Sequence, residues 1–456
     1  MKKFSKKYLF MFLVLLFAAF IVSACNSEGE ESSGETSNDP GTENEGATNE
    51  GEKQPEDTKD PVTLQFAAWS VGEEATKAAL EEMAASFEAE HPNVTIEFVG
   101  IPFGDIKQQT FVMASSGNAP DIIQTHSAWF STYATSDIIV PLDDLLGEEY
   151  VNDIMDSFKE DYTYDGNLMG VPWAPSPYVL YRNKELFAQA GLPDRAPETY
   201  EEMLEFARAI SDLETESGEP VYGLGEATEK LPINGLVALR NIYSFGGSIL
   251  DESGNVNVNT PEVIETLEFY KQLAEEELTP QGAKLKDLRN LFSIGRLGMY
   301  ADGYYGKAVF RNLSGEGEAF DEVWEASLIP ANVTGDSISI GEAHGLVVTK
   351  DSEHQELAAA FIKHLTNEES IVQYHELSDV LTARKSLSEL DAFNDTEFDK
   401  VLLEQMNQLH PLPANNPGLE PSLLEIAEAV QKVSVGMEDP AKVAEELDEK
   451  LKGIFK

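Results

Sequence analysis

Cysteine is nearly absent. The 456 residues contain one, Cys25, so no disulfide can form within the chain. Basic residues are scarce as well. Lys and Arg number 32 against 82 Asp and Glu, a formal charge of −50. That balance excludes nonspecific nucleic-acid binding as a main role, because such binding needs basic patches. It also disfavours flat adsorption onto anionic lipid. The seven histidines show no His-x-His or His-x-x-x-His spacing, and no metal or other cofactor is expected. There is no Gly-x-Ser-x-Gly elbow, P-loop, zinc motif or Asp-x-Asp-x-Asp-Gly loop. Internal repeats and heptad arrays are missing too. The N-terminal apolar run, Tyr8 to Val22, has 15 residues, fewer than the about 20 that a membrane-spanning helix needs.

What that run does fit is a signal-peptide core. Lys2, Lys3, Lys6 and Lys7 precede it, as in a positive n-region. It ends at Val22-Ser23-Ala24-Cys25, which resembles the lipobox of bacterial lipoproteins. The resemblance implies loss of residues 1–24 and diacylation of Cys25. It also implies a chain anchored by lipid to the cell membrane and facing outside, on a Gram-positive-type surface or in a Gram-negative periplasm. Residues 25–60 then read as a tether. Positions 26–60 hold twelve acids, two lysines and one apolar residue, Ala47, too little to bury for folding. Without residues 1–24 and their four lysines the charge falls to −54, an adaptation for solubility.

The remaining stretch, 61–456, exceeds the roughly 250–300 residues that one core supports, so two domains are expected. Val62, Leu64 and Phe66 alternate with polar neighbours and predict a strand. Leu80, Met83, Ala84 and Phe87 give one apolar helix face, which His91-Pro92-Asn93 stops. Val94, Ile96 and Phe98 predict a second strand, Asp105 to Ser115 a helix, and Asp121-Ile122-Ile123 a buried strand. This order predicts an α/β fold with a parallel sheet and helices on both faces. The pattern restarts after Gly170, with a strand at Tyr178–Tyr181 and a helix at Lys184–Ala190. Thr199-Tyr200-Glu201-Glu202 matches a capping box. Thr260-Pro261 opens another helix, Ser352 with Gln355 caps a third, and 423–433 and 441–454 read as helical.

Seven motifs in order resemble the extracellular solute-binding proteins of family 1, the sugar receptors of ABC importers. They are Gly117-Asn118-Ala119-Pro120-Asp121-Ile122-Ile123, Pro141-Leu142-Asp143-Asp144-Leu145, and Tyr164-Asp165-Gly166 through Gly170-Val171-Pro172. Leu180-Tyr181-Arg182-Asn183-Lys184-Glu185-Leu186-Phe187, Ala190-Gly191-Leu192, Pro197-Glu198-Thr199-Tyr200-Glu201-Glu202 and Phe292-Ser293-Ile294-Gly295-Arg296-Leu297-Gly298-Met299 complete them. The resemblance covers residues 62–388 and thins beyond. It implies a periplasmic-binding-protein-like fold of type II. Two Rossmann-like lobes, 61–172 plus 343–385 and 173–342 plus 386–456, are joined by a multi-strand hinge with the ligand cleft between them. It further implies a monomer that closes on a sugar or oligosaccharide and delivers it to an ABC permease.

Sugar rings have apolar faces for aromatic stacking and polar rims for hydrogen bonds, so candidates lie at strand ends facing the cleft. In the first lobe these are Trp69, Glu73, Thr125, His126, Ser127 and Trp129. At the crossing from it come Trp173, Ser176, Tyr178 and Tyr181, with Tyr181 divided evenly between core and cleft. Asp302, Tyr304 and Tyr305 come from the second lobe, Tyr304 standing where the family has a stacking tryptophan. At the later crossings stand Glu342, His344 and Arg384, the first two departing from the family's small residues. Trp324 reads as packing. Two other readings stay open: a glycan lyase or hydrolase, which needs a carboxylate pair, and a solute-sensing lipoprotein on the same fold.

Overall fold

Alternation at Val62, Leu64 and Phe66 does make a strand, with Leu64 and Phe66 turned into the core. In the computed structural model, which describes residues 60–456 except 216 and 217, nine principal strands follow in chain order. They are β1 Val62–Ala68, β2 Val94–Gly100, β3 Ile122–His126, β4 Val171–Pro175, β5 Val179–Asn183, β6 Tyr222–Gly225, β7 Leu297–Asp302, β8 Trp324–Ser327 and β9 Ala343–Val348. Residues 1–59, which hold the expected signal peptide, Cys25 and all but the last residue of the expected linker, lie outside the described residues.

The first sheet has the order β2-β1-β3-β9-β4. Its β1, β2 and β3 are parallel, as strand-helix-strand order requires. The expectation of a wholly parallel sheet is corrected, because β9 runs antiparallel to both β3 and β4. The reason is connectivity: β9 enters after the second sheet is complete and arrives from the opposite end. The second sheet, β8-β5-β7-β6, is mixed too: β5 pairs antiparallel with β8 and β7, and β6 runs parallel to β7.

Aromatic rings fill the core of the first sheet. Phe66, fully buried, meets Phe98, Trp173 and Phe361 with centroids 6.1–6.2 Å apart. Behind the second sheet, Tyr181 is wrapped by Phe292, Phe310, Trp324 and Phe398.

Helix starts follow local chemistry, with two corrections. Thr260 accepts from the Val263 N–H and Pro261 takes the first helical position. Thr199 accepts from the Glu202 N–H, but the Glu202 carboxylate accepts from the Glu198 N–H, one residue before the cap. Ser352 does not cap its helix. That helix starts at Gln355 after His354, while the Ser352 hydroxyl accepts from the His354 N–H and donates to Asp121. Asp121 in turn accepts from the Gln65 N–H at 2.8 Å and ties β1 to the entry of β3.

The link between the two sheets decides where a site can form. Ser176-Pro177-Tyr178 joins the end of β4 to the start of β5. At the first sheet, Ala343 faces Pro175 and His344 faces His126, so the C-terminal ends of β3 and β4 share an edge with the start of β9. At the second sheet, Val179 faces Asp302, so the start of β5 shares an edge with the end of β7. The short link brings these two edges together. Crevices of open α/β sheets lie at the carboxyl ends of strands.

Candidate functional site

The first edge carries a cluster of rings. Trp69 follows β1, and its ring lies 4.9 Å from His344, 5.2 Å from Phe103 and 6.5 Å from Trp129. Trp129 sits in the first turn of the helix Ser127–Thr135 and stacks on His126 at 4.9 Å. Trp129 is half-buried, and its Nε1 has no hydrogen-bond partner among the described residues.

His126 is held by its own helix. As N-cap residue, it accepts the Ala128 N–H on Nδ1 at 3.1 Å. With Nδ1 accepting, Nε2 is the nitrogen left to donate. That Nε2 lies 3.4 Å from Glu342 Oε2. His344 Nδ1 lies 3.4 Å from the Gln124 amide nitrogen, and burial lowers the His344 pKa to about 3. The His344 imidazole is therefore neutral near pH 7.

Glu342 is the centre of the constellation. It is 2% exposed, and its Oε2 accepts no hydrogen bond. Tyr305 Oη lies 3.5 Å from Glu342 Oε1 and 3.5 Å from Tyr178 Oη. The backbone supports it: the Ser176 N–H donates to the Glu342 carbonyl at 2.9 Å, and the Ala343 N–H to Ser127 Oγ at 3.3 Å. Buried Ser176 keeps its Oγ unpartnered. Gly303 makes this close approach possible, because a Cβ there would overlap Ser176 Oγ and the Tyr305 ring.

Tyr304 and Tyr305 meet at 5.3 Å, and Arg289 lies over the Tyr305 ring at 5.1 Å. Arg289 also grips Asp302 with two bonds of 2.7 and 2.9 Å. Burial pushes the Tyr304 hydroxyl well above its ordinary pKa, with Tyr374, Tyr305, Glu73 and Glu342 adding to the rise. Tyr304 thus faces groups from both edges. Glu73, at the solvent rim, has its carboxyl raised by surrounding protein and pulled back by Arg289.

Four candidates fall elsewhere. Tyr181 is fully buried in the aromatic core behind β5 and donates to the Gly303 carbonyl at 2.9 Å, so its place is in packing. Trp173 stacks on Tyr374 at 5.2 Å within the first core. Thr125 alternates with His126 along β3 and so points to the other face of the sheet. Arg384 is the clearest correction. It pairs with Asp153 at 2.6 Å and lies over Tyr150 at 4.2 Å, beside a surface depression also lined by Lys363. Its side chain is committed to the helices around 148–161. Phe103, Gln124 and Arg289 were not anticipated. Gln124 had a legible signal, a polar residue inside an apolar strand; Arg289 had none.

Comparison with known proteins bears on the family and the fold. Residues 82–399 match the sequence profile of the family described as bacterial extracellular solute-binding protein. A putative binding protein of Brucella abortus is 24% identical over 379 residues, 82% of this chain and 89% of the relative. The galactooligosaccharide-binding protein of Bacillus subtilis is 22% identical over 401 residues, 86% of this chain and 90% of its own. Among solved structures, the GacH receptor of Streptomyces glaucescens, studied unliganded and with acarbose, superposes with a TM-score of 0.77. It is 22% identical, and the match covers 87% of this chain and 99% of the receptor.

Proposed function

This chain belongs to the bacterial extracellular solute-binding proteins, and from that membership we propose that it captures a sugar or oligosaccharide between its two sheet edges for an ABC importer. One observation carries the proposal. Rings at Trp69, Trp129, Tyr304 and Tyr305 stand around the buried, unsatisfied Glu342 and Ser176. Rings stack on the apolar face of a pyranose, and a buried carboxylate accepts from its hydroxyls. A buried acceptor without a donor costs about 1–3 kcal/mol, and a ligand hydroxyl removes that cost.

Closure of one lobe on the other is the binding step in this reading. The site residues come from β1, β3, β9 and the β4–β5 link on one side and from β7 on the other, so relative movement of the sheets opens or completes the set. The chain acts as a receptor without turnover, and Cys25 carries the lipid that holds it outside the membrane. Calorimetric titration with a glycan panel, with assay for shortened products, tests the receptor reading. One-to-one binding without product is expected; product formation overturns it in favour of a glycan lyase or hydrolase. Cys25→Ser is expected to move the protein from the membrane fraction to the medium. Retention on the membrane contradicts the anchor.

A further inference from the structure

The site carries more negative charge than it neutralises. Asp302, Glu342 and Glu73 contribute three carboxylates. Arg289 is the guanidinium among them, and its bidentate bonds to Asp302 use its charge there. His344 offers no compensation, because burial holds its pKa at about 3. His126 spends Nδ1 on the Ala128 N–H, and its Nε2 stands 3.4 Å from Glu342 Oε2. Glu342 is 2% exposed, and no Lys or Arg pairs with it among the described residues.

An uncompensated buried carboxylate is costly. Its polar contacts are the His126 Nε2 at 3.4 Å and the Tyr305 Oη at 3.5 Å, both longer than a charge-assisted hydrogen bond. Ser176 Oγ is a second unsatisfied buried acceptor beside it. The ring of Trp129, stacked on His126, and that of Tyr304, 5.3 Å from Tyr305, belong to the same constellation, and aromatic faces attract a cation through the ring quadrupole. Glu73, at the rim, extends the same negative potential to solvent.

Building on the proposed glycan-binding role, we infer that the solute carries a protonated amine, as an amino sugar or amino-sugar oligomer does, and that the ammonium group pairs with Glu342. The Glu342 Oε2 and Ser176 Oγ acceptors receive its hydrogens. An anionic glycan, such as a uronate, is disfavoured by the same charges.

Matched probes isolate the charge: glucosamine against glucose, and the β-1,4 glucosamine trimer against cellotriose, which differ by ammonium in place of a hydroxyl. Ethanolamine and putrescine serve as amines without a sugar. Titrations use the full chain at a pH that keeps the amines protonated. The amine-bearing sugar is expected to bind at least about tenfold tighter than its neutral partner, as a desolvated charge pair allows. Glu342→Gln is expected to reduce that ratio below about threefold, with the ligand-free melting temperature recorded to verify folding. Should Glu342→Gln fail to fold, Glu73→Gln at the rim is expected to narrow the ratio in the same direction. Neutral sugars binding as tightly as their amino partners overturn the inference and leave the glycan role standing. Binding of ethanolamine or putrescine but of no sugar sustains the cation preference and removes the glycan role. An undiminished ratio in both variants, or no binding by any amine-bearing probe, overturns the inference.

Discussion

His344 shows what burial does to one residue here. Its ring is held between Trp69 and His126, and its pKa falls to about 3. In the unfolded chain the same ring titrates near the ordinary value of about 6.5. Below that pH the unfolded state takes up a proton that the folded state refuses. His344 therefore favours the fold fully above about pH 6.5, and its contribution is lost as pH falls toward 3, on the order of a few kcal/mol in all. Urea unfolding at pH 7.5 and pH 5 checks this: His344→Gln is expected to flatten the decline in stability, and an unchanged decline contradicts the assignment. Arg384 gives the complementary prediction. Because it bridges Asp153 and Tyr150 away from the ring cluster, Arg384→Ala is expected to lower the melting temperature and leave solute affinity unchanged. At this scale the sequence was legible where a residue type has one natural use. Trp129, Glu342 and Tyr304 stood at strand ends and are found together at the facing edges. Tyr181 was ambiguous because a tyrosine can end a strand or fill a core, and only its four ring neighbours decide.

Helices from the two lobes meet at two ion pairs. Glu420, in the first turn of the helix Leu419–Ser434, pairs with Lys107 and accepts from Thr132 Oγ1 at 2.7 Å. On another side Lys307 pairs with Asp379 at 2.5 Å. Lys107 and Thr132 lie in helices that contact strands of the first sheet, and Asp379 follows a helix packed on Glu74–Glu90, whereas Glu420 lies in a helix packed on Pro232–Ser244 and Lys307 in one packed on Leu285–Ser293. Such pairs hold the lobes in this relation and exist only when they approach. Glu420→Gln is expected to weaken solute binding by about 0.5–1 kcal/mol, a few-fold in Kd. Raised salt is expected to weaken the parent and hardly affect the variant. Equal affinity of parent and variant at low salt contradicts this latch. Element positions were legible where period and caps agreed, as at Val62–Phe66 and Thr260-Pro261. The direction of β9 was not, since alternation reports which face is buried but not which way a strand runs. Ser352 misled because a hydroxyl three residues before the first helical residue resembles a cap in sequence while its hydrogen goes to Asp121.

For the whole molecule, charge and architecture act together. A formal −50 repels itself in the compact state. Raising salt from about 0.05 to 0.5 M, which shortens the screening length from roughly 14 to 4 Å, is expected to raise the melting temperature; a flat or falling curve contradicts self-repulsion as a dominant cost. The two-layer plan was legible from the restart of strand-helix order after Gly170 and from chain length. What no spacing conveyed was the meeting of the sheet edges through Ser176-Pro177-Tyr178, which depends on the register of β4 with β9 and of β5 with β7. In the proposed function that meeting is what joins the edge carrying Trp129 to the edge carrying Tyr304. The most direct test is calorimetric titration of the parent and of Trp129→Ala/Tyr304→Ala with the tightest-binding member of a glycan panel. One-to-one binding by the parent is expected, with affinity reduced by about 2–4 kcal/mol in the folded double variant. Parent-like affinity in that variant contradicts solute capture at this cleft.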